Sequence, residues 1–246
     1  MTHAFRQSLV VTLLTTVITF TGMPARAQTV AQPSLLRPFA DSLTDVRHLG
    51  TRENLNWLAV GLGAALAAHR ADASVTRNWT EPGSRTFKPG AIVGGTPLEL
   101  GAAFATFAIG RATNSPRAMN VGAELIRAQL IAEIMTTGVK QAVRRARPEG
   151  TGFSFPSGHT TVTFASATVL QRHFGWKAGV PSYAVAAYVA ASRVEMKRHY
   201  LSDVALGAAL GIIAGRTVTV GRNRRLMVTP MLAPHGAGAS FTLSGK

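Results

Sequence analysis

The chain has 246 residues, 26 Lys and Arg against 11 Asp and Glu, a formal charge of +15 and no cysteine. The missing cysteine excludes disulfides, thiolate nucleophiles and cysteine-based zinc sites, and a hydrophobic share of 46% excludes disorder as the general state. So basic a chain meets anionic partners such as nucleic acid, a lipid surface or phosphorylated molecules. Its carboxylates are scattered singly, with no DxD pair and no HExxH, which speaks against a metal-dependent enzyme.

In chain order, the first feature is Arg6, an apolar run from Leu9 to Phe20, then Gly22, Pro24 and Ala25-Arg26-Ala27. This three-part pattern predicts a secretory signal peptide over residues 1–27, cut after Ala27. A retained membrane anchor is the other reading of the same run. Cleavage leaves 24 basic against 11 acidic residues, a charge of +13. Export sets nucleic acid aside as a partner.

Residues 28–50, with Pro33 and Pro38, predict a surface segment. A first helix is expected over Glu53 to Ala71, and a loop rich in Gly, Pro and Ser over 73–96. A second helix runs from Pro97 to Thr113, and Asn114-Ser115-Pro116 breaks it. A third is expected from Arg117 to Ala146, stopped by Pro148. Three more follow: Ser157 to Phe174, Val180 to Val194 and Ser202 to Val220. Gly207, Gly211 and Gly215, four apart, let a neighbouring helix approach the last of these closely. In the tail, Val228, Pro230 and Leu232, then Ala239, Phe241 and Leu243, alternate as in a short β-hairpin. The prediction is an all-α fold, a single bundle of about six helices with a short C-terminal hairpin. The uncharged stretches at 54–68, 178–192 and 204–215 fall short of the ~20 residues of a membrane span, and mean hydropathy is only +0.16. They read as the core of a bundle, with a membrane surface as a further partner.

Three short stretches carry chemistry. In "KQAVRRARP", Lys140, Arg144 and Arg147 stand at i, i+4 and i+7, one face of the third helix. Three cations there repel unless an anion lies among them; by itself the stretch reads equally as a solvated basic face or a lipid headgroup patch. In "FPSGHT", Ser157 is a good N-cap, and the Gly158 and His159 N–H groups point out of a helix N-terminus, where anions bind. A capped helix with a surface histidine is the plainer alternative. In "SRVEMKRHYLSD", Arg193 can fork onto phosphate oxygens. His199 and Asp203 stand one turn apart, so a carboxylate can orient an imidazole whose other nitrogen is free to attack; a solvated His–Asp pair is the alternative.

Taken in order, the three stretches match the pattern Kx6RP, PSGH, SRx5Hx3D. The chain therefore resembles the superfamily of type 2 phosphatidic acid phosphatases, which also holds bacterial class A acid phosphatases and vanadium haloperoxidases. The resemblance covers residues 97–222 and implies a helical phosphatase domain over 28–225, with 226–246 as tail or hairpin. It implies that Lys140, Arg147 and Arg193 hold phosphate oxygens, with Ser157 and the Gly158 backbone adding hydrogen bonds. His199 would be the nucleophile, forming a phosphohistidine, and Asp203 would orient it. His159 would protonate the leaving oxygen and then activate water. Beyond the signature itself, Arg144 on the Lys140 face, and Lys197 and Arg198 at the rim, would extend the cage. Fixed cations would replace a metal, so no metal and no cofactor is expected. The implied activity is hydrolysis of phosphate monoesters or pyrophosphates by an exported enzyme, periplasmic or membrane-associated facing the periplasm. Its partner would be a phosphorylated lipid or a small phosphate ester. A vanadate-dependent haloperoxidase and a non-catalytic lipid-binding envelope protein are the competing readings. The sequence carries no signal for oligomeric state.

Overall fold

Helices are set mainly by small apolar residues, broken where Gly, Pro or Ser/Asn clusters interrupt them. A computed structural model describes residues 41–42, 45–79 and 85–220, together with the backbone of two strands at 225–233 and 236–244. The expected signal peptide lies outside the described residues. After a 3-10 turn at Val46–His48 come α1 (Arg52–His69), α2 (Asp72–Asn78), α3 (Lys88–Val93), α4 (Thr96–Ala112), α5 (Pro116–Val143), α6 (Gly158–Phe174), α7 (Trp176–Glu195) and α8 (Leu201–Val218). The strands β1 (Arg225–Ala233) and β2 (Gly236–Ser244) pair antiparallel. The fold is all-α, as the sequence predicts.

Local chemistry accounts for the starts. Thr51 accepts from the Asn54 N–H to cap α1, and Ser115, before Pro116, accepts from the Ala118 N–H to cap α5; each satisfies a donor the helix itself cannot. Ser157 holds the N-cap position of α6 without capping it. Its hydroxyl accepts from the Thr160 hydroxyl at 3.0 Å instead.

Two expectations need correction. The segment 73–96 is not a plain loop: α2 and α3 lie in and beside it, α3 starting at the Lys88-Pro89 pair that suits a first turn. The third predicted helix ends at Val143, not Ala146, because Arg144 turns left-handed at φ 50°. Lys140, Arg144 and Arg147 therefore do not share a helix face.

The core sits where α4, α5, α6 and α8 meet, around Phe107, Ile126, Val162, Val169 and Ala214. A Cβ on Gly211 would come within 2.4 Å of the Thr161 carbonyl oxygen, and one on Gly207 within 2.9 Å of the Ser157 oxygen. The predicted glycine row thus seats α8 directly on α6 and presses it against the "FPSGHT" loop. Burial is uneven. In α8 most residues are buried, whereas in α1 only Asn54, Gly61 and Ala65 are. Among the described residues α8 alone is long and apolar enough to cross a membrane, and 72% of it is buried in the bundle.

Candidate active site

The three charged stretches converge at one end of the bundle. The turn from α7 to α8 does the tightest work. Lys197 takes a left-handed φ of 55°, and the Arg198 and His199 N–H groups both donate to the Arg193 carbonyl at 3.1 Å. This folds His199 back beside Arg193. Opposite, the Ser157 N–H donates to the Asp203 carbonyl at 3.0 Å, tying the "FPSGHT" loop to the first turn of α8.

His199 is 3% exposed. Its Nδ1 lies 2.6 Å from the Ser154 carbonyl oxygen and 3.6 Å from Asp203 Oδ2. The short partner of the ring is thus a backbone carbonyl, with Asp203 in a longer contact. Nδ1 donates to Ser154, and Nε2 is left as the free nitrogen. Burial, and then the Lys140 and Arg193 charges, push His199 below the usual histidine range, against the pull of Asp203.

The expected cation cage is only partly as the helix spacing suggested. The Arg193 side chain is buried, and its Nε has no hydrogen-bond partner among the described residues. A guanidinium desolvated in this way is held to about 10, by burial first and then by the Arg198 and Arg147 charges. Arg147 donates from Nε to the Phe153 carbonyl at 3.3 Å, and its Nη1 lies 3.6 Å from Glu149, which also pairs with Arg198 at 2.5 Å. Lys140 spends its three protons on the loop, donating to the carbonyls of Pro156 (2.6 Å), Phe153 (3.3 Å) and Ser154 (3.5 Å). Burial, with Arg147 next, lowers it to about 8. Lys140 therefore shapes the loop that holds His199 while adding charge beside it.

His159 is half-buried and hydrogen-bonded to the main chain at Ala91 of α3. Burial, then the Arg193 and His199 charges, lowers it to about 4. A Cβ on Gly158 would meet nothing closer than Thr136 Cγ2 at 3.5 Å, so the helix N-terminus there is open to approach. Arg144 is not part of the site. It is exposed and donates to the Gln141 carbonyl at 3.0 Å.

Sequence reasoning missed Arg145, which reaches in where Arg144 was expected. It donates to Asp203 Oδ1 at 3.0 Å and to Asp72 Oδ2 at 2.8 Å. No sequence signal announces the left-handed residue that swaps the two arginines. Asp72 and Ala91 were equally hidden, because Asp72 falls between the first expected helix and the stretch read as loop, and Ala91 falls inside that stretch. Among the described residues no three His, Asp or Glu side chains gather as metal ligands would.

A buried guanidinium with an unpartnered Nε, an open helix N-terminus and a histidine held by one nitrogen are groups of the kind that bind an oxyanion and attack it. Comparisons with known proteins find similarity to named phosphatases. The lipid A 1-phosphatase of Porphyromonas gingivalis is 41% identical over 85 residues, 33% of this chain and 19% of that one. The decaprenylphosphoryl-5-phosphoribose phosphatase of Mycobacterium tuberculosis is 35% identical over 106 residues, 39% of this chain and 58% of that one. The chain thus spans less than two thirds of either relative. The crystal structure of a transmembrane PAP2-type phosphatidylglycerolphosphate phosphatase from Bacillus subtilis aligns over 77% of this chain and 98% of its own, at 18% identity and a TM-score of 0.46. Residues 121–227 match the model of the PAP2 superfamily, and all three charged stretches lie inside that matched segment.

Proposed function

We propose that the protein is a phosphatase that hydrolyses phosphate monoesters or pyrophosphates, lipid phosphates foremost, without a metal and through a phosphohistidine on His199. The observation that carries the reading is the pairing of a histidine held by one nitrogen with a buried guanidinium, six residues away in sequence, whose Nε has no partner among the described residues. Positioning and charge do most of the work in phosphoryl transfer, and both are present here.

In the proposed reaction the phosphoryl group lies among Arg193, Arg147, Lys140 and the N-terminus of α6, with Ser157 and the Gly158 N–H at its oxygens. Nε2 of neutral His199 attacks phosphorus, the phosphorus–oxygen bond to the leaving group breaks, and the leaving oxygen takes a proton from His159. That proton is available because the bound phosphate offsets the cations that depress His159. Water then attacks the phosphohistidine, gives a proton to His159, and the nitrogen–phosphorus bond breaks. Asp203 and the Ser154 carbonyl hold Nδ1 throughout.

A lipid substrate is favoured by the relatives' own substrates and by the outer surface of the bundle. Leu55, Leu62 and Leu66 of α1, Ile109 of α4, Ile134 of α5 and Val180 of α7 are large apolar side chains facing outward. Exposed apolar surface, where contiguous, marks an interaction face, and in this proposal these side chains face a membrane. Export with the site on the periplasmic side belongs to the same proposal and rests on the N-terminal segment.

The test is a phosphate-release screen on the purified full chain with phosphatidic acid, phosphatidylglycerol phosphate, undecaprenyl pyrophosphate and soluble esters, with and without EDTA. Release is expected with at least one lipid phosphate and is unchanged by chelator. No release from any substrate would sink the reading. Loss on chelation that zinc or magnesium restores would sink its metal-free part.

A further inference from the structure

Behind His199 lies a chain of buried polar groups that the charged stretches do not account for. Asp72, from α2, accepts four hydrogen bonds: from the Ser202 N–H at 2.9 Å and hydroxyl at 2.6 Å, from Arg145 Nη2 at 2.8 Å, and a contact of 2.9 Å from His69 Nδ1. Arg145 reaches from Asp72 to Asp203, adds a bond to the Ser202 hydroxyl at 2.7 Å, and lies 3.8 Å over the Tyr200 ring. The other oxygen of Asp203 takes the Tyr200 N–H at 2.8 Å. The Asp203 side chain is fully buried and that of Asp72 nearly so. The main chain of Arg145 joins in as well: its carbonyl accepts the Ser154 N–H at 2.7 Å. Ser154 is the residue whose own carbonyl holds His199.

We propose that Arg145, braced by Asp72, is a positioning residue that fixes both supports of His199, the Asp203 carboxylate through its side chain and the Ser154 carbonyl through its main chain. The proposal rests on the phosphatase reading. With each Asp203 oxygen already engaged, the carboxylate stays 3.6 Å from the ring, and its pull on the ring is outweighed by burial. The charged and titratable groups around the ring are Asp203 from α8, Lys140 from α5, Arg193 from α7 and His159 from α6. Arg145 is the cation that balances Asp203. Remove it and Asp203 turns toward His199, favouring the imidazolium, which is no nucleophile. Asp72 is the anchor that keeps the guanidinium fork in place, and it lies outside the segment matched to the superfamily.

The experiment compares the full-length wild type with Arg145→Ala, Arg145→Lys and Asp72→Asn. It measures kcat and KM on a phosphomonoester from pH 4 to 8, and titrates the His199 imidazole by 15N NMR. For all three variants kcat should fall by about 10²-fold, the cost of displacing a reacting group by about 1 Å, with KM little changed because none of these residues touches phosphate. In Arg145→Ala the acidic limb of kcat/KM and the His199 titration both move to higher pH. Arg145→Lys keeps the charge and so keeps the limb, but it cannot fork and does not recover kcat. Arg145→Ala sets two buried carboxylates facing each other; if it does not fold, the lysine and asparagine variants decide through the split between kcat and KM. A loss confined to KM, full recovery of kcat by lysine, or an unmoved limb in folded Arg145→Ala would overturn the proposal. Should the wild type itself release no phosphate, the phosphatase reading fails. The NMR titration then still tests whether Arg145 governs His199.

Discussion

The two sides of the His199 ring are built on opposite principles. On the Nδ1 side the Ser154 carbonyl, Asp203, Arg145, Asp72, Ser202 and the Tyr200 N–H form a closed set in which donors meet acceptors. Away from Nδ1 buried polarity is left open: Arg193 Nε has no partner among the described residues, and α6 begins without a side-chain cap. A buried unpaired charge is costly, so an open side beside a saturated one marks where the protein leaves stability unclaimed for a ligand. The same reasoning separates the sites of substitution. Changes on the closed side should cost stability, and changes on the open side should cost activity while relieving strain.

The largest effect is expected where the sides meet. His199→Ala should lose roughly 10⁴–10⁶-fold in turnover, as when a nucleophile working in a unit is removed. The wild type, stopped in alkaline SDS because phosphohistidine survives base, should carry phosphate on that residue alone. Activity near wild type in the variant would reject the assignment.

Next come paired substitutions across the ring. Arg193→Met on the open side should cost about 10²–10³-fold in kcat/KM and yet raise thermal stability in phosphate-free buffer, by about 1 kcal/mol or more, because an unpaired buried charge is gone. Asp203→Ala on the closed side should destabilise by about 3–5 kcal/mol, since it strands the Arg145 cation. Melting curves in the absence of phosphate separate the two, and a lower Tm for Arg193→Met would end the contrast.

A smaller signal is a proton. In the free protein His159 is held at about 4 by burial and by Arg193 and His199, against an ordinary value near 6.5. A bound anion offsets those cations and raises it. Phosphate binding should therefore take up a fraction of a proton, at most about one, between pH 4 and 6 beyond phosphate's own titration, measurable by calorimetry in two buffers of different ionisation enthalpy. The sign for stability follows. The unfolded chain takes this proton near 6.5 and the folded one only near 4, so His159 favours the folded state above 6.5, and that contribution is lost as pH falls from 6.5 through 4. The His159→Gln variant should show neither the uptake nor this part of the acid loss.

The smallest effect is expected at Arg144, whose exposed side chain contacts the backbone of its own helix. Arg144→Ala should change kcat/KM by no more than about twofold, as surface changes do. A large loss would return it to the anion site.

Much of this was readable from residue order. The spacings from Lys140 to Pro148, Pro156 to His159 and Ser192 to Asp203 are local, and local spacing on helices and tight turns maps onto space directly. The helices from Pro97 onward lie close to where their apolar runs and breaks put them. What escaped depends on single backbone angles or on distant partners. One left-handed residue at 144 rotated the end of α5 and exchanged the roles of two adjacent arginines. Asp72 and Ser202 stand 130 residues apart, and no short pattern links them. The role of Lys140 was legible as charge, but its hold on three loop carbonyls was not, because acceptors in the backbone leave no trace in residue identity. The apolar stretch 54–68 read as core, and its side chains divide instead between a narrow inward seam and an outward apolar surface.

Asp72 and Ala91 have a practical consequence for how far the unit around His199 can be moved. A domain cut to the recognisable segment, residues 121–227, would carry every signature residue and still lack the carboxylate that anchors Arg145, the main-chain contact of His159, and α4, which supplies part of the core. Transplanted or shuffled at those borders, the signature would arrive with His199 unsupported. The exchangeable module begins no later than α2, and α1 travels with it as the wall against which α8 is packed.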